Sequence, residues 1–292
     1  MKVVVIGANG QLGWEVCRRG EKQGFDIVSL DLPEFDITEP SAVKEAVNSS
    51  GVSLVINAAA YTAVDKAESE PELTFAVNRD GPAYLATSCA TVGIPLIHVS
   101  TDYVFDGTKQ GPYLETDPPA PLGVYGKSKA AGETEVRNIL KEHIILRTAW
   151  LYGIHGQNFV KTMLRLGREK EVVQVVADQY GCPTYAADLA DAIIKITSQV
   201  AEQRDAIWGT YHYCGKGVTT WYGFAEAIFN LARKRCSLVV KEVVPITTEE
   251  YPTPAKRPVY SVLDYSLFTK HFSVHPRPWQ ESLADMINRL LS

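Results

Sequence analysis

The chain has 292 residues, of which 46% are apolar and 22% charged, and this composition excludes a disordered chain, a collagen-like chain and a small disulfide scaffold. At roughly 150 residues per domain, the length predicts about two domains. The formal net charge of −5 offers no basic excess to a phosphate backbone, which excludes nucleic acid as the main partner.

Strands and helices alternate through the first half of the chain. Short apolar runs predict strands buried on both faces, at residues 3–6, 27–30, 54–57, 96–100 and 144–147. Helical patterns follow them at residues 12–23, 41–48, 72–92 and 125–140. This alternation indicates βαβ units. We therefore predict an α/β fold with a Rossmann-type doubly wound parallel sheet.

The pattern loosens after residue 150. A helix is predicted at 158–169, a strand at 172–176 and a helix at 187–199, and from Gly209 the sequence is rich in aromatic residues and proline. We predict a first domain over residues 1–150, to which residues 172–199 return. A smaller C-terminal α/β domain would contain residues 151–171 and 200–292.

The cysteines are widely scattered, at Cys17, Cys89, Cys182, Cys214 and Cys236. Without a CxxC pair they predict neither a zinc site nor a redox motif, and they indicate reduced thiols in the cytosol. The N-terminal apolar run is too short for a signal peptide, and no run nears the ~20 residues that cross a bilayer. We expect a soluble, cytoplasmic protein with no membrane partner.

A glycine-rich turn joins the first predicted strand to the first helix. Gly7, Gly10 and Gly13 have GxxGxxG spacing, which lets a pyrophosphate approach the backbone at the positive end of the helix. A glycine triplet alone is weak evidence for a dinucleotide-binding turn, and the alternative interpretation is a simple tight turn. Its place between a strand and a helix is the context that a dinucleotide-binding turn requires.

Two acidic residues follow the second predicted strand. Asp31 ends that strand, where an acid usually accepts hydrogen bonds from the adenosine ribose and favours NAD over NADP; the alternative is a turn aspartate before Pro33. Asp36 either reaches the adenine or caps the next helix. Arg18 and Arg19 on the first helix would tolerate a 2′-phosphate.

Tyr125 and Lys129 form a YxxxK pair, and positions i and i+4 share one helix face. A lysine ammonium beside a phenol lowers the pKa of the phenol from about 10, so Tyr125 would exchange a proton with a carbonyl or alcohol. The alternative is a solvated helix face. Thr101 follows a predicted strand, at the sheet edge where ligands bind, and would stabilise charge on a substrate oxygen.

Together these motifs resemble the extended short-chain dehydrogenase/reductases. Within that group, residues 58–69, 100–107, 124–129, 178–184 and 257–264 resemble the dTDP-4-dehydrorhamnose reductases. The resemblance implies NAD(P)H-dependent reduction of the 4-keto group of dTDP-6-deoxy-L-lyxo-4-hexulose to dTDP-L-rhamnose. It further implies NADPH or NADH as cofactor, a dTDP-linked keto-sugar as substrate, and a C-terminal domain that binds this substrate.

The resemblance also implies roles for individual residues. The catalytic residues would be Thr101, Tyr125 as proton donor, and Lys129. The cofactor would be bound by Gly7, Asn9, Gly10, Gln11, Leu12, Asp31, Asp36, Ile37, Ala58, Ala60, Tyr61, Thr62, Val99, Tyr125 and Lys129. The substrate would be bound by Val64, Thr101, Asp102, Tyr103, Trp150 and Arg257.

One position discriminates among relatives, and two depart from the family pattern: Tyr260 precedes Ser261 where the C-terminal motif commonly has asparagine, and one acidic metal position is lost. Nucleotide-sugar dehydratases often have glutamate where this chain has Tyr103, so the site lacks the base for elimination and fits simple reduction. Some family members form dimers bridged by Mg²⁺. Glu15 matches one acidic position, but the other falls on Ala187, with Asp188 beside it. Since Mg²⁺ needs near-octahedral oxygen ligation, this argues against the metal and leaves a homodimer open.

Several alternatives remain open. The chain could be a reductase or epimerase of another nucleotide-linked sugar, or a non-catalytic subunit like the regulatory subunit of some methionine adenosyltransferases. The histidines have no metal-like spacing, which predicts solvated or core positions. An aromatic cluster either stacks on the thymine base or packs in the core: Trp208, Tyr211, Tyr213, Trp221 and Tyr222.

Overall fold

A computed structural model describes residues 1–202 and 208–292; residues 203–207 of the predicted C-terminal domain lie outside the described residues. The strands are β1 (Lys2–Ile6), β2 (Asp26–Leu30), β3 (Val52–Asn57), β4 (Leu96–Thr101), β5 (His143–Thr148), β6 (Leu151–Tyr152), β7 (Val172–Val176), β8 (Tyr180–Gly181), β9 (Thr184–Tyr185), β10 (Gly209–His212), β11 (Thr219–Thr220) and β12 (Glu242–Ile246). The helices are α1 (Gln11–Lys22), α2 (Pro40–Asn48), α3 (Val64–Ala67), α4 (Pro71–Phe75), α5 (Gly81–Val92), α6 (Val124–Ile139), α7 (Phe159–Glu169), α8 (Ala186–Ala201), α9 (Trp221–Ala232), α10 (Ser266–Phe272) and α11 (Trp279–Leu290).

The central sheet is parallel and has the strand order β10-β5-β4-β3-β1-β2 among the described residues. Its strands are apolar on both faces because helices cover both. Val3 and Val5 pack toward α1 and α8, whereas Val4 and Ile6 pack toward α2 and α5. The predicted doubly wound parallel sheet is confirmed. The order reverses between β1 and β3, where ligands bind in such sheets.

The helix predicted over residues 72–92 is divided in the structure. α4 and α5 are separated by a π-helical turn over Ala76–Asp80. Pro82 lies at the start of α5 and has no N–H to donate to the carbonyl of Asn78, which favours a locally wider turn. The carbonyl oxygen of Asn78 also lies close to α6, because a Cβ added at Gly132 of that helix would be 2.1 Å from it.

A second layer, here called the cap, is built from β7, β12, α7, α9 and α11. β7 pairs with β12 in parallel, and Val173 and Val175 share a core with Phe224 and Phe229. Residues 172–199, which were predicted to return to the first domain, therefore belong to two different layers. β7 stays in the cap because its partner strand is there, whereas α8 packs on α1. No described helix is long and apolar enough to cross a membrane.

Candidate active site

A cleft of about 850 Å³ lies between the carboxyl edge of the sheet and the cap. Most of the predicted site residues line it, namely Gly7, Asn9, Gly10, Gln11, Leu12, Asp31, Asp36, Ile37, Ala58, Ala60, Thr62, Val64, Val99, Thr101, Asp102, Tyr103, Tyr125, Lys129 and Trp150. Sequence analysis missed other lining residues, among them Phe35, Val77, Ser100, Thr148, Gly156, Gln157 and Asn158.

The glycine turn brings the backbone of β1 close to the start of α1. Gly7 has φ of 80°, and a Cβ on Gly13 would lie 2.0 Å from the Gly7 carbonyl oxygen. Gly10 precedes α1 and offers no side chain to cap it. The first N–H groups of α1 are therefore available to an anion such as a pyrophosphate.

Asp31 lines the cleft and is held there by two backbone groups. Its carboxylate accepts hydrogen bonds from Asn9 N at 2.7 Å and Leu32 N at 2.8 Å. Asp36 accepts from the backbone N–H and the hydroxyl of Thr38, both at 2.8 Å. Asp36 thus fixes the turn before α2 while it lines the cleft.

The two arginines of α1 are not placed to bind a 2′-phosphate. The guanidinium of Arg18 lies over the ring of Trp14, 4.3 Å from its centre. Arg19 pairs with Glu15 and with Asp191. Neither arginine lines the cleft. The expectation that they tolerate a 2′-phosphate is therefore corrected.

Tyr125 is positioned by the close approach of α6 to the end of β4. A Cβ on Gly126 would lie 2.2 Å from the carbonyl oxygen of Tyr103, so glycine lets α6 begin directly against this turn. The Thr101 hydroxyl lies close enough to that of Tyr125 to lower its pKa. The Thr101 hydroxyl donates to Asp102 Oδ1 at 3.1 Å and accepts from Tyr103 N at 3.2 Å.

The pKa of Tyr125 differs from the prediction. Burial raises the pKa of Tyr125 to about 12; the nearby Thr101 hydroxyl lowers it, and the charge of Asp102 raises it further. The Lys129 ammonium, which is turned toward β4 and donates to the Val99 carbonyl at 2.7 Å, does not outweigh this rise. Tyr125 is therefore protonated at neutral pH, as a proton donor must be.

Asp102 is a buried carboxyl group with spare hydrogen-bonding capacity. Burial raises its pKa to about 6, although hydrogen bonds with Ser261 and Thr101 lower it. Its Oδ2 has no partner among the described residues, and the residue lines the cleft. A buried acceptor in a cleft is suited to a ligand that carries hydroxyl groups.

Replacement of Asp102 by asparagine should change how stability depends on pH. The folded pKa of about 6 lies above the ordinary 3.8, so the folded chain binds more protons, and this group's contribution falls as pH rises from about 4 to about 6. Asp102→Asn cannot titrate. Its free energy of unfolding, relative to the wild type, should rise by about 3 kcal/mol over that range, as measured by urea unfolding.

The matched control for this measurement is Asp106→Asn. A hydrogen bond from the Thr108 backbone is the main cause that lowers the pKa of Asp106, so its stabilisation is lost as pH falls, and the control should show the opposite slope. A difference between Asp102→Asn and wild type that stays constant with pH would show that Asp102 is not a buried titrating group.

The cap side of the cleft is formed by two stacked indoles. Trp150 and Trp221 lie 3.6 Å apart at 7°, and Trp150 has a left-handed backbone with φ of 47°. A Cβ on Gly181 would lie 2.4 Å from the Trp150 ring, so glycine provides the space for the indole. Of the predicted aromatic cluster, Trp221 lines the cleft, while Tyr211 and Tyr213 pack in the core.

Two predicted ligand-binding residues do not line the cleft. The guanidinium of Arg257 pairs with both carboxylate oxygens of Asp65, at 3.1 and 2.8 Å, and so ties the C-terminal segment to α3. The Tyr61 hydroxyl donates to Glu70 at 2.5 Å. Both side chains are engaged in contacts within the protein, and their expected roles in binding substrate and cofactor stay predictions.

Glu15 fits an ion pair better than a metal site. Its carboxylate is 2% exposed and bonds to Arg19. Asp188, the nearest acid to the second expected position, bonds to Ser282 and Arg277. The described residues contain no cluster of three or more histidine, cysteine or acidic residues that would hold a metal ion. We therefore derive no step through Mg²⁺.

The whole sequence, residues 1–292, matches the protein family described as RmlD substrate binding domain. It is 43% identical to the dTDP-4-dehydrorhamnose reductase of Aggregatibacter actinomycetemcomitans, over 98% of each chain. It is 41% identical to that of Escherichia coli K12, over 100% of this chain and 99% of the relative. The chain belongs to the dTDP-4-dehydrorhamnose reductase family. The predicted resemblance is confirmed.

Solved structures of the dTDP-4-dehydrorhamnose reductase family have the same architecture. The Clostridium acetobutylicum protein superposes with a TM-score of 0.93 at 41% identity over 100% of both chains. The Bacillus anthracis protein, in complex with NADP, superposes with a TM-score of 0.92 at 39% identity over 99% of both. Thermus thermophilus UDP-glucose 4-epimerase, at 23% identity and a TM-score of 0.80 over 99% of both chains, shares the fold alone.

Proposed function

We propose that the chain catalyses NAD(P)H-dependent reduction of the 4-keto group of dTDP-6-deoxy-L-lyxo-4-hexulose, giving dTDP-L-rhamnose. The observation that carries the proposal is that Thr101, Tyr125 and Lys129 line one cleft with the glycine turn, in a chain of this family. An intact set of these three side chains favours an enzyme over a non-catalytic subunit.

A dinucleotide held at the glycine turn would supply the hydride that reduces C4. Tyr125 then transfers its hydroxyl proton to the C4 oxygen, so the carbonyl becomes an alcohol and Tyr125 is left as a phenolate. Thr101 lines the same cleft and would donate a hydrogen bond to the C4 oxygen. Positive charge on Lys129 stabilises the phenolate that remains.

Residues from both sides of the cleft would hold the substrate. Asp102 has an unpartnered buried oxygen for a sugar hydroxyl, and the stacked Trp150 and Trp221 present an apolar wall. Tyr103 lies edge-on to Tyr125, with ring centres 5.5 Å apart, where a dehydratase would need a carboxylate. This arrangement supports reduction without elimination.

The proposal is tested by supplying the purified chain with the dTDP-linked 4-keto-sugar and either NADH or NADPH. We expect loss of the reduced cofactor in equal amount to dTDP-L-rhamnose formed, as measured by absorbance and by chromatography of the sugar nucleotide. dTDP-glucose, which has no keto group, is the control and should give no oxidation. Absence of oxidation with both cofactors would refute the proposed activity.

Asp31 supports a preference for NADH over NADPH, because a fixed carboxylate repels a 2′-phosphate and accepts hydrogen bonds from a free ribose. Asp31→Ala should lower the ratio of kcat/KM for NADH to that for NADPH by about tenfold, or 1.4 kcal/mol. Glu34→Ala, which removes an exposed acid of the same loop, is the control and should leave the ratio unchanged. An unchanged ratio in Asp31→Ala would exclude this role.

We also propose a cytoplasmic location. It is supported by the thiols, all of which are free, with Cys17, Cys89, Cys182 and Cys214 buried, as is usual in a reducing compartment.

A further inference from the structure

His98 connects the centre of the sheet to the catalytic lysine. It lies in β4 beside Asn57 of β3, and both side chains are fully buried. Its Nδ1 lies 3.1 Å from Asn57 Nδ2, and its Nε2 lies 3.5 Å from Lys129 Nζ. The mechanism above gives no role to either His98 or Asn57.

The orientation of the Asn57 amide determines which nitrogen of His98 carries a proton. Asn57 Oδ1 accepts a hydrogen bond from the backbone N–H of Ala59 at 3.0 Å, so the amide nitrogen faces His98. An amide nitrogen only donates. Nδ1 of His98 must therefore be the acceptor, and the proton of the neutral ring lies on Nε2.

The Nε2–H group of His98 points at Lys129. An ammonium group can only donate hydrogen bonds, and Lys129 already donates to the Val99 carbonyl. A charged Lys129 would therefore place two N–H groups against each other, whereas a neutral amine would accept the Nε2 proton. The separation of 3.5 Å is long for a hydrogen bond, which fits two nitrogens that both carry protons.

The other charged groups around the pair do not reverse this preference. Burial lowers the pKa of Lys129 to about 8, and Glu133 of α6 opposes that change, but the Glu133 carboxylate is bonded to Arg147 at 2.6 Å. Burial lowers the pKa of His98, and the charges of Lys129, of His143 on β5 and of Arg137 on α6 lower it further. His98 therefore stays neutral.

We propose that His98 is a positioning residue which, locked by Asn57 as the Nε2–H tautomer, disfavours the ammonium form of Lys129 and sets the upper pH limit of the reaction. The link to the reaction rests on the proposed function, because it is the charge of Lys129 that stabilises the Tyr125 phenolate. As pH rises through the pKa of Lys129, that charge is lost and turnover should fall.

Asn57→Asp tests the proposal by reversing the tautomer. A carboxylate only accepts hydrogen bonds, so it requires the His98 proton on Nδ1, and Nε2 then accepts from the Lys129 ammonium. We expect the pKa of Lys129 to rise so that the basic limb of kcat/KM moves to higher pH by at least about one unit, a tenfold change in proton concentration. No movement of this limb would overturn the proposal.

The double variant His98→Leu/Asn57→Asp separates the tautomer from the added negative charge. If the charge alone raises the pKa of Lys129, the limb moves equally with and without His98, and the proposal is wrong. If His98 transmits the effect, the change produced by Asn57→Asp is lost when residue 98 is leucine. If His98 had a purely structural role, its replacement would alter kcat/KM without moving the basic limb of the pH profile.

Two NMR measurements on the wild-type protein are independent of activity and of the Asn57 and His98 variants. Long-range ¹⁵N–¹H correlations of the wild-type ring should show the His98 proton on Nε2; a proton on Nδ1 would overturn the proposal. The ¹³Cε resonance of Lys129, assigned by its loss in Lys129→Met, should titrate near pH 8. These results can hold even if the keto-sugar assay fails, so the two proposals can fail separately.

Discussion

Tyr125→Phe is expected to lower kcat for the keto-sugar by about 10²- to 10⁴-fold, the range for loss of a general acid, while dinucleotide affinity stays close to that of the wild type. The phenol of Tyr125 lines the cleft and is protonated at neutral pH, because its pKa is raised to about 12. Phenylalanine keeps the ring and its edge-on packing against Tyr103 and removes only the proton donor. Steady-state kcat and fluorescence titration with NADH measure the two effects.

Tyr84→Phe is the matched control, because this hydroxyl lies on α5, away from the cleft, and the ring packs beside the core. It should leave kcat and cofactor affinity unchanged. If Tyr125→Phe keeps more than about a tenth of the wild-type kcat, against the loss expected for a general acid, another group donates the proton and the assignment is wrong.

Gly13→Ala is expected to weaken dinucleotide binding by about 100-fold. The added Cβ would lie 2.0 Å from the Gly7 carbonyl oxygen and 2.7 Å from the Gly7 carbonyl carbon. These are backbone atoms, so the methyl group can be placed only by moving the turn away from α1, at a cost of up to about 3 kcal/mol. Isothermal titration with NADH gives the dissociation constant directly.

Gly20→Ala provides a control on the same helix. Its Cβ would meet the end of the flexible Ile27 side chain at 2.6 Å, which can rotate away, and alanine favours a helix over glycine by up to about 1 kcal/mol. Its dinucleotide affinity should match the wild type. Equal losses in Gly13→Ala and Gly20→Ala would mean that the helix as a whole, and not the turn, had been disturbed.

Local patterns in the sequence were enough to predict the sheet and the residues that follow its strands. The glycine turn, Thr101 and the pair Tyr125 and Lys129 each depend on spacing within one strand, turn or helix. Because carboxyl ends of parallel strands share one edge of a sheet, order along the chain was sufficient to predict that these residues meet.

Contacts between distant segments could not be predicted in this way. His155 Nε2 lies 2.8 Å from the Asn9 carbonyl oxygen, and Asn158 donates to Gln11 Oε1 at 2.9 Å, which brings residues 156–158 into the cleft. These pairs have no periodicity or motif that joins them. Likewise, the high pKa of Tyr125 results from burial by the whole fold, while the YxxxK spacing predicted only the neighbouring lysine.

The return of the chain to the central sheet has a consequence for biosynthesis. β10 forms one edge of the sheet beside β5, and Phe268 and Phe272 of α10 share the core with Ile193 of α8. Chains emerge from the ribosome N-terminus first. The nascent sheet therefore leaves the β5 edge unpaired until residue 212 has emerged, and part of one apolar face stays uncovered until about residue 272 has emerged.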